Sequence, residues 1–130
     1  MKTLQTFVLT ILTLLSAAAP ALAAETIKVG AILAVTGPAS FLGAPEARTL
    51  EMLTEELNAK GGINGRKIEL IIKDSGASPE KAISFAKQLI EEEKVFAIIG
   101  PSTTGETMAI KNLAEESTPI LAMPIFFIWW

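Results

Sequence analysis

An α/β fold, a three-layer parallel sheet with helices on both faces, follows from three features of the sequence. From Ile27 onward, apolar β-rich runs alternate with segments of helical period. The runs are almost unbroken in hydrophobicity, which suits strands buried on both faces. Clusters of glycine, proline and asparagine punctuate the alternation at the spacing of short connections. The chain has 130 residues, enough for one compact domain and short for two.

Residues 1–23 read as a secretory signal. Lys2 supplies the positive end, Phe7 to Leu15 an apolar run interrupted only by Thr10 and Thr13, and Ala21-Leu22-Ala23 a small-x-small cleavage site. A membrane anchor is the competing reading, but the run falls short of the ~20 residues a spanning helix needs, and Pro20 interrupts its end. With no cysteine to carry a lipid, the mature chain is expected to be soluble in a bacterial periplasm.

The elements follow in order. The first strand is Ile27 to Ala34, and it runs into a loop from Val35 to Gly43. From about Pro45 to Ala59 a helix sets Ala47, Leu50, Leu53 and Leu57 on one face and Glu51, Glu55 and Glu56 largely on another. Lys60-Gly61-Gly62 closes it, with a cation at the carboxyl end and glycine for a left-handed cap. Asn64-Gly65 then favours a turn at positive φ. Lys67 to Asp74 is the second strand, and Ser78-Pro79 opens a helix with a capping hydroxyl and a proline at its first position. Ala82, Ile83, Ala86, Leu89 and Ile90 form the buried face of that helix, and Glu91-Glu92-Glu93 its solvated end. Val95 to Ile99 is a third strand, Gly100 to Gly105 a loop, Glu106 to Glu116 a helix carrying Met108, Ala109, Leu113 and Ala114, and Thr118 to Ala122 the start of a fourth strand.

The alternation then stops. Residues 24–122 form the lobe, and 123–130 an uncharged apolar tail holding both tryptophans. A truncated or frame-shifted end, an apolar partner-binding tail and a membrane segment are the readings open to it. The stretch is too short to span a bilayer, and the first reading fits best.

Composition removes whole classes of chemistry. With no Cys and no His there is no disulfide, thiolate nucleophile, Ser-His-Asp relay, or imidazole or thiolate metal ligand. A net charge of −3 without a cluster of Lys and Arg argues against nucleic acid. Gly100 to Thr107 has the spacing of a phosphate-binding loop, but the lysine position holds Glu106, which repels phosphate. No residue pair forms a nucleophile with its base, so no enzyme, cofactor or metal is expected.

The site follows from topology. The order βαβαβαβ with right-handed crossovers sets the second and third strands on opposite sides of the first, so the first and third flank a switch point. Ligand contacts are expected from Thr36 to Gly43 and from Gly100 to Gly105. In the first loop, Ser40 offers a hydroxyl and Phe41 and Leu42 an apolar wall, unless these residues simply pack on the sheet edge. In the second, Ser102, Thr103 and Thr104 stand beside the N–H groups at a helix N-terminus, a favourable place for a carboxylate. Thr103-x-x-Glu106 also has capping-box spacing, so Thr103 has a purely structural alternative. Lys73 and Asp74 are placed away from the crevice.

Three runs carry a family resemblance: Ile27-Lys28-Val29-Gly30-Ala31 with Thr36-Gly37-Pro38-Ala39; Glu56 to Arg66, Glu-Leu-Asn-Ala-Lys-Gly-Gly-Ile-Asn-Gly-Arg; and Val95 to Ser102, Val-Phe-Ala-Ile-Ile-Gly-Pro-Ser. They resemble the branched-chain amino acid family of periplasmic substrate-binding proteins, the type I binding fold that serves ABC importers, over about Glu25 to Ala122. The resemblance implies the N-terminal lobe of a two-lobed clamp, incomplete at its C-terminus, that closes on a small-molecule ligand, an amino acid or related small carboxylate. It also implies docking on an ABC permease in the inner membrane. Thr104 matches the position that holds the ligand carboxylate, and Leu42 a position often aromatic in the side-chain pocket. Met123-Pro124-Ile125-Phe126 departs from the family's hydroxyl-bearing loop. Without a second lobe the chain is expected to bind weakly or not at all. A secreted ligand-sensing domain on the same fold is the alternative function.

Overall fold

A computed structural model describes residues 25–117 and 120–122 of the chain. The expected signal segment 1–23 and the apolar tail 123–130 lie outside the described residues. Strands β1 (Ile27–Leu33), β2 (Ile68–Asp74), β3 (Ala97–Ile99) and β4 (Ile120–Ala122) form one sheet in the order β2-β1-β3-β4. All three pairings are parallel, with Val29 opposite both Leu70 and Ala97. This is the switch-point order expected from sequence, with β1 and β3 adjacent.

Helix α1 (Ser40–Ala59) joins β1 to β2, α2 (Pro79–Lys87) lies between β2 and β3, and α3 (Thr104–Glu116) joins β3 to β4. Because side chains alternate along a strand, β1 feeds two cores. Ala31 and Leu33 pack with Ala47 and Leu50 of α1 and with Leu70, Ile72 and Ile99 of the neighbouring strands. Ile32 packs on the opposite face with Ala82, Ala86, Leu89, Ile98 and Ile110, so α2 and α3 share that face.

Several local choices match their sequence signals. Ser78 caps α2, its hydroxyl accepting from the Lys81 N–H at 3.3 Å. The left-handed turn after α1 uses Gly61 at φ +98° and Gly62 at φ +76°, with Gly62 N–H donating to Leu57 O at 2.8 Å. Asn64 and Gly65 take φ of 52° and 79°, and Ile63 and Arg66 bridge across them.

Other boundaries move, for reasons the neighbours supply. Helix α1 begins five residues before Pro45, which sits inside it. A proline there forfeits the hydrogen bond to the Phe41 carbonyl and sets its ring against that carbonyl, so the extra turn is held from outside. A Cβ on Gly43 would stand 2.3 Å from the carbonyl of Ala34, so glycine lets this turn lie directly on the end of β1. The apolar face of α1 is also less buried than expected: Ala47 is buried, while Leu53 and Leu57 remain 44% and 40% exposed. That half of the helix lies over β2, which among the described residues is an edge strand with no further strand beside it to extend the covered surface.

On α3 the buried positions are Glu106 and Ile110, with Leu113 partly buried against them, while Met108 is 65% exposed. The i, i+4, i+7 series starting from Glu106 faces the core, and Met108 lies off it. The third strand is shorter than the apolar run: Val95 is buried but Phe96 is 62% exposed, its N–H donating to Lys28 O at 2.8 Å. At the end of the second helical segment, Glu91 and Glu92 are exposed as expected, but Glu93 pairs with Lys28 at 3.0 Å. The chain there continues from α2 as a π-type turn, Gln88–Glu92, which places Leu89 fully inside.

Candidate ligand-binding site

The carboxyl ends of β1 and β3 meet because the chain leaving β3 lies against β1. Gly100 has φ +102°, and a Cβ on it would stand 2.3 Å from Ile32 O, so only glycine fits. Ser102 then closes the junction. Its Oγ accepts from the Ala34 N–H at 3.1 Å and donates to Glu46 Oε2 at 2.5 Å. One hydroxyl therefore ties the end of β1, the second turn of α1 and the approach to α3.

Thr103 is consumed by capping. Its Oγ1 accepts from Glu106 N–H at 3.4 Å and donates to Glu106 Oε2 at 2.5 Å. The interaction differs from the reciprocal capping box, in which the glutamate accepts from the backbone N–H of the cap. Here the carboxylate takes the hydroxyl proton instead. Glu106 is fully buried, and its Oε1 has no hydrogen-bond partner among the described residues. Thr104, the first residue of α3, is exposed, and the N–H groups of a helix's first turn have no partner inside the helix. Its hydroxyl and these donors form the part of the loop open to a small anion.

The residues expected in the first loop lie elsewhere. Ser40, Phe41 and Leu42 form the first turn of α1, because Gly43 draws that turn onto Ala34. Ser40 and Phe41 border an open cleft of about 700 Å³ with Val35, Ala44, Pro45, Arg48 and Thr49. Phe41 is 73% exposed, so packing on the sheet edge does not account for it. Leu42 is half-buried and does not line the cleft. Nor do Ser102, Thr103 and Thr104: the two expected groups are joined through Glu46, which follows the cleft residue Pro45 directly, and not by a shared wall.

Asp74 corrects a second expectation, since it reaches the crevice loop. Its carboxylate accepts from the Thr36 N–H at 3.1 Å, the Thr36 hydroxyl at 2.7 Å and the Gly76 N–H at 3.1 Å. The Thr36 hydroxyl, aided by these backbone donors and opposed by desolvation, holds the Asp74 carboxyl below its ordinary range. Glu46, Arg48 and Asp74 were the polar residues missed from sequence. Asp74 alone had a signal, an acid ending a strand ahead of Ser75-Gly76, where side chains accept from local backbone. Among the described residues no group of three or more Asp and Glu is placed to hold a metal ion, and no helix is long and apolar enough to cross a membrane.

An open parallel sheet with helices on both faces, whose connecting segments meet over a switch point, defines a ligand-binding α/β lobe. Residues 26–125 match the family described as periplasmic binding protein, and the chain belongs to that family of extracytoplasmic binders, which is not an enzyme family. It is 40% identical over 107 residues to the Leu/Ile/Val-binding protein homolog 7 of Brucella suis biovar 1, covering 82% of this chain and 26% of the relative. It is 34% identical over 104 residues to the chemotactic signal transduction system substrate-binding protein BasB of Halobacterium salinarum, covering 78% of this chain and 25% of that one. The fold matches the branched-chain amino acid transporter substrate binding protein LivJ of Streptococcus pneumoniae, solved in complex with isoleucine. The TM-score is 0.73 and the identity 30%, over 79% of this chain and 30% of that one. The chain thus spans about a quarter of the length of the curated relatives it matches.

Proposed function

We propose that this chain is the N-terminal ligand-binding part of a periplasmic solute-binding protein, exported by residues 1–23, that delivers branched-chain or related amino acids to an ABC permease in the inner membrane. The observation that carries the reading is Thr104, exposed as the first residue of α3 after the β3 loop, where a hydroxyl beside first-turn N–H groups suits a carboxylate. The similarity to the Leu/Ile/Val-binding homolog and to an isoleucine-bound structure supports the ligand class. Ser40 and Phe41 supply a polar and an apolar contact from α1, with Leu42 behind them. Ser102 and Thr103 act as the frame of the loop, and Thr104 is its ligand contact.

Burial between two lobes supplies most of the affinity of such a clamp, so contacts from one lobe alone give about millimolar binding, near 4 kcal/mol. Amide-resolved NMR titration of the chain with leucine, isoleucine and valine tests this. Saturable shifts at the amides of residues 102–105, weakened by Thr104→Ala, are expected. Shifts confined to other residues, or none at saturating amino acid, overturn the site; micromolar affinity overturns the two-lobe argument. The likeness to a chemotactic binding protein favours one second reading, a ligand-sensing domain on the same fold. Permease and ATPase genes beside the coding sequence fit transport, and a receptor or kinase gene fits sensing.

A further inference from the structure

We infer that Glu46 is a positioning residue of the binding crevice, acting through Ser102 to lock the loop before α3 onto the end of β1. The inference rests on the reading of the crevice given above, but its geometry stands separately. Ser102 Oγ receives the Ala34 N–H at 3.1 Å and gives its own proton to Glu46 Oε2 at 2.5 Å. Ala34 is completely buried, so its N–H has no access to water as a substitute. A hydroxyl left free to rotate offers its lone pairs in any direction, whereas one whose proton is held by a carboxylate presents a lone pair at a fixed angle. Donating to the carboxyl oxygen also polarises the hydroxyl and strengthens the bond it receives.

The placement of Glu46 gives this lock its reach. It lies one turn beyond Gly43, where α1 touches Ala34, and directly after Pro45, which borders the cleft. Ser102 lies two residues before Thr104. The Glu46–Ser102 bond therefore connects the helix that carries Ser40 and Phe41 to the loop that carries Thr104. If it is removed, α1 and the loop before α3 lose their only side-chain hydrogen bond to one another among the described residues, and the Ala34 N–H loses its oriented partner.

Hydrogen exchange at the Ala34 amide, measured by NMR on the full chain, reads this directly. Glu46→Ala is expected to speed exchange at Ala34 about tenfold, Ser102→Ala at least as much, and the double variant no more than Ser102→Ala alone, because both act on one bond. Glu46→Gln keeps an oxygen acceptor of nearly the same shape and is expected to restore most of the protection. The Ile71 amide, in the β1–β2 ladder, serves as the internal reference for global stability in every sample. Effects of Glu46→Ala and Ser102→Ala that add independently, or unchanged Ala34 protection in Glu46→Ala, overturn the inference. Leucine titration of the same samples keeps the two readings separate. A wild-type chain that ignores leucine removes the ligand assignment and leaves the exchange result standing. A chain that responds to leucine equally well with and without Glu46 removes the positioning role and leaves the ligand assignment standing.

Discussion

Gly43→Ala sets local helix propensity against tertiary contact. Gly43 lies in the first turns of α1 with an ordinary helical φ, where replacing glycine by alanine favours an isolated helix by about 1 kcal/mol. The added Cβ, however, falls 2.3 Å from both the carbonyl carbon and the oxygen of Ala34 and 2.6 Å from its nitrogen. Ordinary contacts lie near 3.5 Å, so α1 must withdraw by about 1 Å from the end of a strand that is itself buried. Forced repacking of this kind costs about 1–3 kcal/mol. The same withdrawal stretches the Ser102–Glu46 bond, a charge-assisted hydrogen bond worth about 1.5–3 kcal/mol. Set against the propensity gain, the net is a destabilisation of about 1.5–5 kcal/mol. With a urea m-value of about 1 kcal/mol/M for a domain of this size, the midpoint falls by about 1.5–5 M, enough at the upper end to leave a marginal lobe unfolded in buffer. Urea unfolding followed by far-UV circular dichroism measures it. Gly105→Ala provides the control, since that helical glycine has nothing within 4 Å of its would-be Cβ, and it is expected to stabilise by up to about 0.5–1 kcal/mol. A midpoint for Gly43→Ala equal to or above the parent refutes the claim that close approach to Ala34 positions α1.

Two further outcomes are expected. Asn58 donates from Nδ2 to Ile68 O at 2.8 Å and accepts from Ile68 N–H at 2.7 Å, so Asn58→Ala should cost about 1–3 kcal/mol by leaving both backbone groups of the first β2 residue unpaired; chemical denaturation reads it. Asp74 has its carboxyl lowered below 3.8 chiefly by the Thr36 hydroxyl, so over the pH range between its folded value and 3.8 the unfolded chain binds more protons. The Asp74 contribution is therefore complete above about 3.8 and is lost as pH falls through the lowered folded value. Asp74→Asn should flatten this acid limb in a pH series of thermal melts and leave the slope near neutrality unchanged.

The sequence by itself determined the element order, the parallel sheet and the capping of α2, because these rest on periodicities and end signals within a few residues of one another. Ser78-Pro79, Gly61-Gly62 and Asn64-Gly65 do in the structure what their local chemistry prescribes. Topology rules extended this to the pairing of β1 with both β2 and β3. Thr103 caps α3 through its local contact with Glu106, but the placement of Ser40 to Leu42 and of Ser102 was decided by tertiary contacts. Ser40, Phe41 and Leu42 became helical because Gly43 rests on Ala34, and Pro45, read locally as a helix start, lies inside α1. Ser102 became a strut because Ala34 and Glu46, both more than fifty residues away, converge on its hydroxyl. Leu53 and Leu57 were placed on the apolar face of α1 by their spacing, but whether an apolar side chain is covered depends on the layer opposite it. A pattern of period 3.6 tells which residues share a face; only the packed neighbours decide how much of that face is closed.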